Sequence, residues 1–178
     1  MQNITKQKQI IQTYLRAKDE NKPHLMKELF TDSAILEMKL KTENISFPSK
    51  TVGLDNITEV LIKNFSNSYE NIYTLCFEDT IVSDTNSLFC SWLVGMSEKN
   101  TDKVRVGSGI YTWQFNANNT KVEKLTIVIN EMVILESNVI EKIMFWLNNC
   151  SYCWCELENT MQTMPKLKKL EIIRNALK

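Results

Sequence analysis

The densest cluster of reactive side chains in this sequence is a trio of cysteines, Cys150, Cys153 and Cys155. A C-x-x-C pair can bind zinc or exchange disulfides, but zinc takes four ligands and a redox pair prefers a helix N-terminus. The other two cysteines lie on predicted strands, and the one histidine, His24, is distant in sequence. Helical spacing of apolar residues over 139–157 places the trio in the middle of a helix, with two of its thiols packed as small hydrophobic groups. We therefore predict no metal site and no cofactor.

A second pattern with chemical potential is the alternation of Tyr111, Trp113 and Phe115 along one predicted strand. Alternate residues of a strand share a face, and Ile127 and Ile129 are predicted on the same wall from the next strand. With two glycines earlier on the strand leaving room, this wall could form a pocket for a flat apolar ligand. It could equally be an ordinary filled core, and the sequence leaves both alternatives open.

Composition restricts the classes of function. The chain has 178 residues, enough for one domain with an appendage, and 21 basic residues balance 21 acidic ones. This balance, without a basic stripe, argues against a nucleic-acid partner. The N-terminus lacks the layout of a signal peptide, and the apolar runs are too short to span a membrane. We predict a cytoplasmic protein without a membrane partner.

The elements that must position these residues begin with helices. Apolar spacing predicts a first helix over 4–20 and a second over 24–30, which Pro23 would start. Turn residues then lead into a strand over 34–40. A third helix is predicted over about 55–65.

The character of the sequence then changes to strands. Runs over 71–83, 87–97, 103–115 and 121–135 are separated by short turn signals, which predicts an antiparallel meander. The second and fourth runs are apolar at consecutive positions, so both faces of the sheet should be covered. The three helices can cover one face, and the other needs the rest of the chain or a partner subunit.

The rest of the chain reads as helix. Its last helix is predicted to start near Thr163 and Pro165. We place a boundary between a domain over 1–136 and a helical extension over 137–178, which would pack on the domain or on a partner subunit. A homodimer or a protein partner, bound through the sheet face or these helices, is the corresponding expectation.

Two short motifs carry a resemblance to a known family. Residues 29–34, Leu-Phe-Thr-Asp-Ser-Ala, and residues 52–57, Val-Gly-Leu-Asp-Asn-Ile, resemble the helix-to-strand junction and the start of the third helix in the nuclear transport factor two-like superfamily. That superfamily includes SnoaL-like polyketide cyclases, ketosteroid isomerase and scytalone dehydratase. Over about 4–135, the resemblance implies an α+β cone in which three N-terminal helices pack inside a curved antiparallel sheet.

The resemblance also implies where catalytic groups would lie. A tyrosine on the first helix corresponds to Tyr14, sixteen residues before Phe30. The position of the acidic base falls on Met38, whose thioether cannot take up a proton. The position of a second acid falls near Tyr111. The neighbouring Glu37 could replace the base only if a strand bulge turned it inward, since alternation points it away from the cone.

Two functions follow as hypotheses. The first is a non-catalytic SnoaL-like domain that binds a small apolar ligand or a protein partner. The second is an isomerase, cyclase or dehydratase acting on a polyketide- or steroid-like substrate, with Tyr14 as hydrogen-bond donor. The predicted pocket consists of Tyr14, Met38, Tyr111, Trp113, Phe115, Ile127 and Ile129.

Overall fold

The computed structural model of the protein describes residues 2–178 and opens with one long helix, α1 (Gln2–Asp19). Ile11, Tyr14 and Leu15 recur at helical spacing and are fully buried, so α1 packs its apolar stripe against the sheet. The predicted first helix is thereby confirmed.

The junction after α1 differs from the prediction by four residues. A single 3₁₀ turn, Pro23–Leu25, leads into a short helix, α2 (Met26–Leu29). Phe30 is already extended, with φ −114° and ψ 150°, and the first strand, β1 (Phe30–Leu40), begins there rather than at residue 34. The strand begins early because Phe30 pairs with Val122 of the neighbouring strand, a long-range contact that local turn signals do not report.

The third helix is confirmed and longer than predicted. A short strand, β2 (Lys50–Val52), precedes Gly53, whose φ of 92° is a conformation that glycine adopts without steric cost. The helical segment then runs through α3 (Leu54–Thr58), a π-helical stretch over Glu59–Asn64, and α4 (Phe65–Ser68).

The predicted meander is confirmed. Its strands are β3 (Tyr69–Phe77), β4 (Val82–Ser83), β5 (Ser87–Glu98), β6 (Val104–Phe115) and β7 (Val122–Leu135). The run predicted over 71–83 ends at Phe77, because a 3₁₀ turn (Glu78–Thr80) separates β3 from the two-residue β4.

The strands form one eight-stranded sheet with the order β2-β1-β7-β6-β5-β3-β8, and β4 pairs with β5. β3, β5, β6 and β7 are antiparallel neighbours, whereas β1 runs parallel to β7. The three N-terminal helical segments pack on the inner face of this sheet, and the larger of two apolar cores lies between them.

The C-terminal residues are less helical than predicted. They form α5 (Ile140–Asn148), the short strand β8 (Trp154–Cys155), α6 (Leu157–Thr163) and α7 (Leu170–Ala176). The cysteine trio is therefore not in the middle of a helix: the chain leaves α5 and pairs β8 with the end of β3. Thr163 ends a helix rather than starting one.

A second apolar core lies on the outer face of the sheet, between the strands and α5 and α7. Leu93, Val106 and Val133 contribute from the strands, and Leu147 and Ile173 contribute from the helices. Both faces of the strands are apolar because each face of the sheet is covered by helices of the same chain.

Candidate ligand cavity

The interior of the cone contains a cavity of about 40 Å³. A water molecule occupies about 30 Å³ in the liquid, so this space is close to the size of a single water. Its wall is built mainly from apolar and aromatic side chains of α1 and the sheet. These include Tyr14, Met38, Trp92, Tyr111, Ile127 and Ile129.

Five of the seven residues predicted for the pocket lie on this wall, namely Tyr14, Met38, Tyr111, Ile127 and Ile129. They meet because β1, β7 and β6 are neighbours in register: Met38 pairs with Ile127, and Ile127 pairs with Tyr111. Alternation along each strand then brings the same face of all three strands to the cavity.

Trp113 and Phe115 are not among the residues that line the cavity, which corrects the predicted pocket. Trp113 lies two residues beyond Tyr111 along β6, and Phe115 lies two residues beyond Trp113. Each step of two residues is roughly 7 Å along the strand. The Trp113 ring packs against Tyr14, with ring centroids 5.1 Å apart, and against Phe30 at 6.4 Å. These rings fill the cone beyond the cavity, as in an ordinary core.

The glycines of β6 do not leave room for a ligand, contrary to the expectation. A Cβ atom added at Gly109 would stand 2.7 Å from Cζ2 of Trp92, and one at Gly107 would stand 2.5 Å from Cε of Met132. The space that a missing side chain opens is filled by side chains of the neighbouring strands.

Two hydrogen-bond donors on the cavity wall, the Tyr14 hydroxyl and the indole N–H of Trp92, form no hydrogen bond of normal geometry within residues 2–178. Burial raises the pKa of the Tyr14 phenol well above its usual range, and the nearby Asp19 carboxylate raises it further. The Tyr111 side chain lies close enough to the Tyr14 hydroxyl to lower the pKa of the Tyr14 phenol slightly, but it does not meet the geometry of a hydrogen bond. The phenol therefore keeps its proton at physiological pH, so it can donate a hydrogen bond to a ligand but cannot act as a base.

Among the described residues that line the cavity, Lys18 is the one with a charged side chain, and sequence reasoning missed it. Its Nζ lies 2.6 Å from Oδ1 of Asp19 and 2.7 Å from Oγ1 of Thr74, and its charge sits 5.0 Å from the Phe65 ring centre. The backbone N–H of Thr74 donates to Asp19 at 2.7 Å. The lysine charge is thus compensated in place, so the wall has little net charge.

Glu37 lies on the outer face of β1, as alternation predicts. Its carboxylate is 3.0 Å from Nζ of Lys124, and this hydrogen bond holds the pKa of Glu37 below its usual value. The bulge in β1 falls between Phe30 and Ile35, before Glu37, and does not turn that side chain inward. Within residues 2–178, no aspartate, glutamate or histidine lines the cavity.

Ile45, Phe47 and Phe65 also line the cavity and were missed. Ile45 and Phe47 belong to a segment whose composition predicts a polar loop. The one signal in the sequence that they could be buried is that they are apolar residues in a polar stretch. Trp92 was missed because β5 is apolar on both faces, which hides the side that faces the cone.

The described residues contain no group of three or more His, Cys, Asp or Glu side chains placed to hold a metal ion. All five cysteines are free. Burial raises the pKa of both the Cys153 and the Cys155 thiol to about 12, so neither is an activated nucleophile at neutral pH. No helix in residues 2–178 is long and apolar enough to cross a membrane.

No protein-family model matches the chain, and no curated protein matches it. Solved structures do. A nuclear transport factor 2-like superfamily protein from Salmonella enterica is 16% identical, with a TM-score of 0.53 over 71% of this chain and 92% of that one. A protein from Catenulispora acidiphila with a ketosteroid isomerase-like fold, in complex with trimethylamine, is 10% identical, with a TM-score of 0.54 over 66% of this chain and 82% of that one.

These matches confirm the α+β fold of the nuclear transport factor two-like superfamily that the sequence predicts. A third match extends beyond the cone. PrhC from Penicillium brasilianum is 9% identical, with a TM-score of 0.58, and covers 98% of this chain and 93% of its own. The similarity to PrhC therefore includes most of the C-terminal extension.

Proposed function

We propose that this chain is a binding protein that takes a small, uncharged, largely apolar ligand into its cone. The observation that carries this proposal is the pair of buried donors on the cavity wall, the Tyr14 hydroxyl and the Trp92 N–H. A buried donor without a partner costs about 1–3 kcal/mol, and a ligand oxygen that accepted from both would recover that cost. A ketone, ether or ester oxygen on an apolar body fits this chemistry.

The ligand is expected to be neutral. Lys18 already has Asp19 as its counter-charge, so an anion would find no free cation on the wall. A cation would face the lysine ammonium in an apolar surrounding. An uncompensated charge in such a surrounding is strongly unfavourable.

The size of the site supports a ligand that extends outward. The inner cavity of about 40 Å³ is far below the roughly 300–1,000 Å³ of small-molecule pockets. A groove of about 300 Å³ adjoins it and shares Ile45, Phe47 and Phe65 with its wall. Cavity and groove together would reach the required size.

Binding is better supported than proton-transfer catalysis. A SnoaL-like isomerase needs a base that faces the substrate, and the position for that base is occupied by Met38. Glu37 is paired with Lys124 on the opposite face of the strand. Tyr14 alone could polarise a carbonyl, but it could not abstract a proton while its phenol remains neutral.

A fluorescence titration tests the proposal. Prodan, an uncharged naphthyl ketone whose emission shifts to the blue in apolar surroundings, serves as the probe. We expect saturable binding that Tyr14→Phe and Trp92→Phe each weaken by about fivefold, the value of one ordinary hydrogen bond. Tyr73→Phe is the matched control, because the Tyr73 hydroxyl bonds to Asn148 outside the cone. Equal affinities for all three variants would contradict the proposal.

A further inference from the structure

The segment between β1 and β2, residues 41–49, lies against the cavity. Two of its side chains, Ile45 and Phe47, line both the inner cavity and the outer groove. Ile45 is only 8% exposed, although its neighbours Asn44 and Ser46 are exposed. These two side chains therefore form the partition between the two spaces.

The partition rests on a stack of aromatic rings. The Phe47 ring lies nearly parallel to the Phe65 ring, with centroids 6.3 Å apart, and Phe65 contacts Tyr69 at 4.9 Å. Phe65 belongs to the helical segment and Tyr69 begins β3. The loop thus uses its own apolar side chains to occupy space that a ligand would take.

Both ends of the segment are fixed to the sheet. The N–H of Lys41 donates to the carbonyl of Ile129, and the N–H of Met38 donates to the carbonyl of Ser49, each at 2.9 Å. The segment is therefore fixed at both ends and held at its centre mainly by side-chain contacts. This arrangement is typical of a loop that moves on hinges.

The polar contacts at the centre of the segment converge on Asn44. Its side-chain amide donates to the carbonyl of Met132 at 2.7 Å, and its own carbonyl accepts from Nη1 of Arg105. Arg105 is held in turn by Glu98, at 2.6 Å, and its guanidinium lies 5.6 Å from the Tyr69 ring centre. The Arg105 side chain therefore connects three parts of the structure: residues 41–49, the sheet, and Tyr69 at the base of the ring stack.

We propose that residues 41–49 are a lid on the cone and that Arg105 is its latch. Opening swings Ile45 and Phe47 outward, so that the inner cavity and the groove become one site. The ligand then takes the place of these two side chains, which implies an apolar body at least as large as the Ile45 and Phe47 side chains together, with its acceptor oxygen directed inward to Tyr14. This inference rests on the proposed binding function and deepens it.

Thiol labelling tests the lid without any ligand. Ile45→Cys places a thiol on the inner side of the segment, where a maleimide can reach it only when the lid opens. The fully buried native thiol of Cys90 reports global opening in the same sample. We expect the introduced thiol to react much faster than Cys90, and we expect Arg105→Ala to accelerate it by about tenfold.

Two controls keep this result interpretable. Arg16→Ala removes an arginine that pairs with Glu20 on the exposed side of α1, and it should leave the labelling rate unchanged. Arg105→Lys keeps the charge but not the two-pronged geometry, and it should give an intermediate rate. If the introduced thiol reacts only as slowly as Cys90, or if Arg105→Ala has no more effect than Arg16→Ala, the lid is overturned.

Prodan titration separates the two proposals. With a functional lid, Phe47→Ala raises the affinity and the association rate by about tenfold, while Phe145→Ala, at an exposed site on α5, changes neither. Binding that is equally tight in wild type and Phe47→Ala overturns the lid but leaves the binding function intact. If Phe47→Ala fails to bind while labelling still shows opening, the lid stands as a moving segment and the proposed ligand is wrong.

Discussion

Several buried donors within residues 2–178 have no hydrogen-bond partner, among them the indole N–H groups of Trp113 and Trp154, but those of Tyr14 and Trp92 are the two that lie on the cavity wall. Most buried polar side chains have a partner, so an unpaired donor needs a physical reason. The resemblance alone predicted Tyr14, through its distance from Phe30. Trp92 could not be predicted, because a strand that is apolar on both faces does not show which side meets the cone. Trp113 and Phe115 were predicted on the correct face of β6, but alternation does not show how far along the strand the cavity extends.

At the residue scale, we predict that Tyr14→Phe stabilises the ligand-free protein. Removing an unpaired buried hydroxyl relieves its desolvation cost, so the free energy of unfolding should rise by about 1 kcal/mol. Urea denaturation followed by circular dichroism measures the change, with Tyr73→Phe as the matched variant. A loss of stability larger than that of Tyr73→Phe would mean that the hydroxyl has a structural partner.

At the scale of elements, the end of α1 is tied to the sheet and to the C-terminal segment through one carboxylate. Asp19 accepts from Lys18, from the Thr74 backbone and from the Tyr152 hydroxyl, the last at 3.2 Å. Helical periodicity predicted α1 well, but a charged pair after its last apolar residue reads as a solvated helix end. Only the packing of β3 against α1 shows that the pair is buried.

We predict that Asp19→Ala destabilises the protein by about 3–5 kcal/mol, because it leaves the Lys18 ammonium buried without a counter-charge. The side chains of Lys18 and Asp19 are 8% and 3% exposed. Glu20→Ala is the control, since its carboxylate is on the surface, and it should change the free energy of unfolding by less than about 1 kcal/mol. Similar losses for the two variants would refute a buried ion pair.

The C-terminal elements show the limit of periodicity most clearly. Spacing predicted α5 correctly through Asn148, but it then continued a helix across the cysteines. The N–H of Cys76 donates to the carbonyl of Cys153 at 2.7 Å, and Cys76 pairs with Trp154. This pairing with a strand nearly eighty residues earlier draws the chain into an extended form. A local pattern contains no information about so distant a partner.

For the molecule as a whole, the order and length of elements were sufficient to predict the cone. The sequence also indicated that the outer face needed cover. The structure shows α5 and α7 on that face, packed against Leu93, Val106 and Val133. The homodimer stays a prediction, and the strongly exposed Phe145 of α5 is a residue that such an interface could use.

We predict that truncation after residue 136 destabilises the domain and makes it associate. The deletion exposes the apolar strand positions that α5 and α7 cover, and contiguous patches of this kind promote association. Sedimentation velocity and thermal unfolding of the truncated and full-length chains measure both effects. A truncated chain that stays monomeric with an unchanged melting temperature would show that the extension is dispensable for the cone.

The short strand β8 affects how readily the sheet can pair with strands of other molecules. β3 would otherwise be the last strand on its side of the sheet, and an open strand edge offers free N–H and C=O groups to any other chain. Trp154 and Cys155 pair with Cys76 and Phe77 and occupy that edge at its most buried end. Two residues of the C-terminal segment thus close this end of the β3 edge to strands from neighbouring molecules.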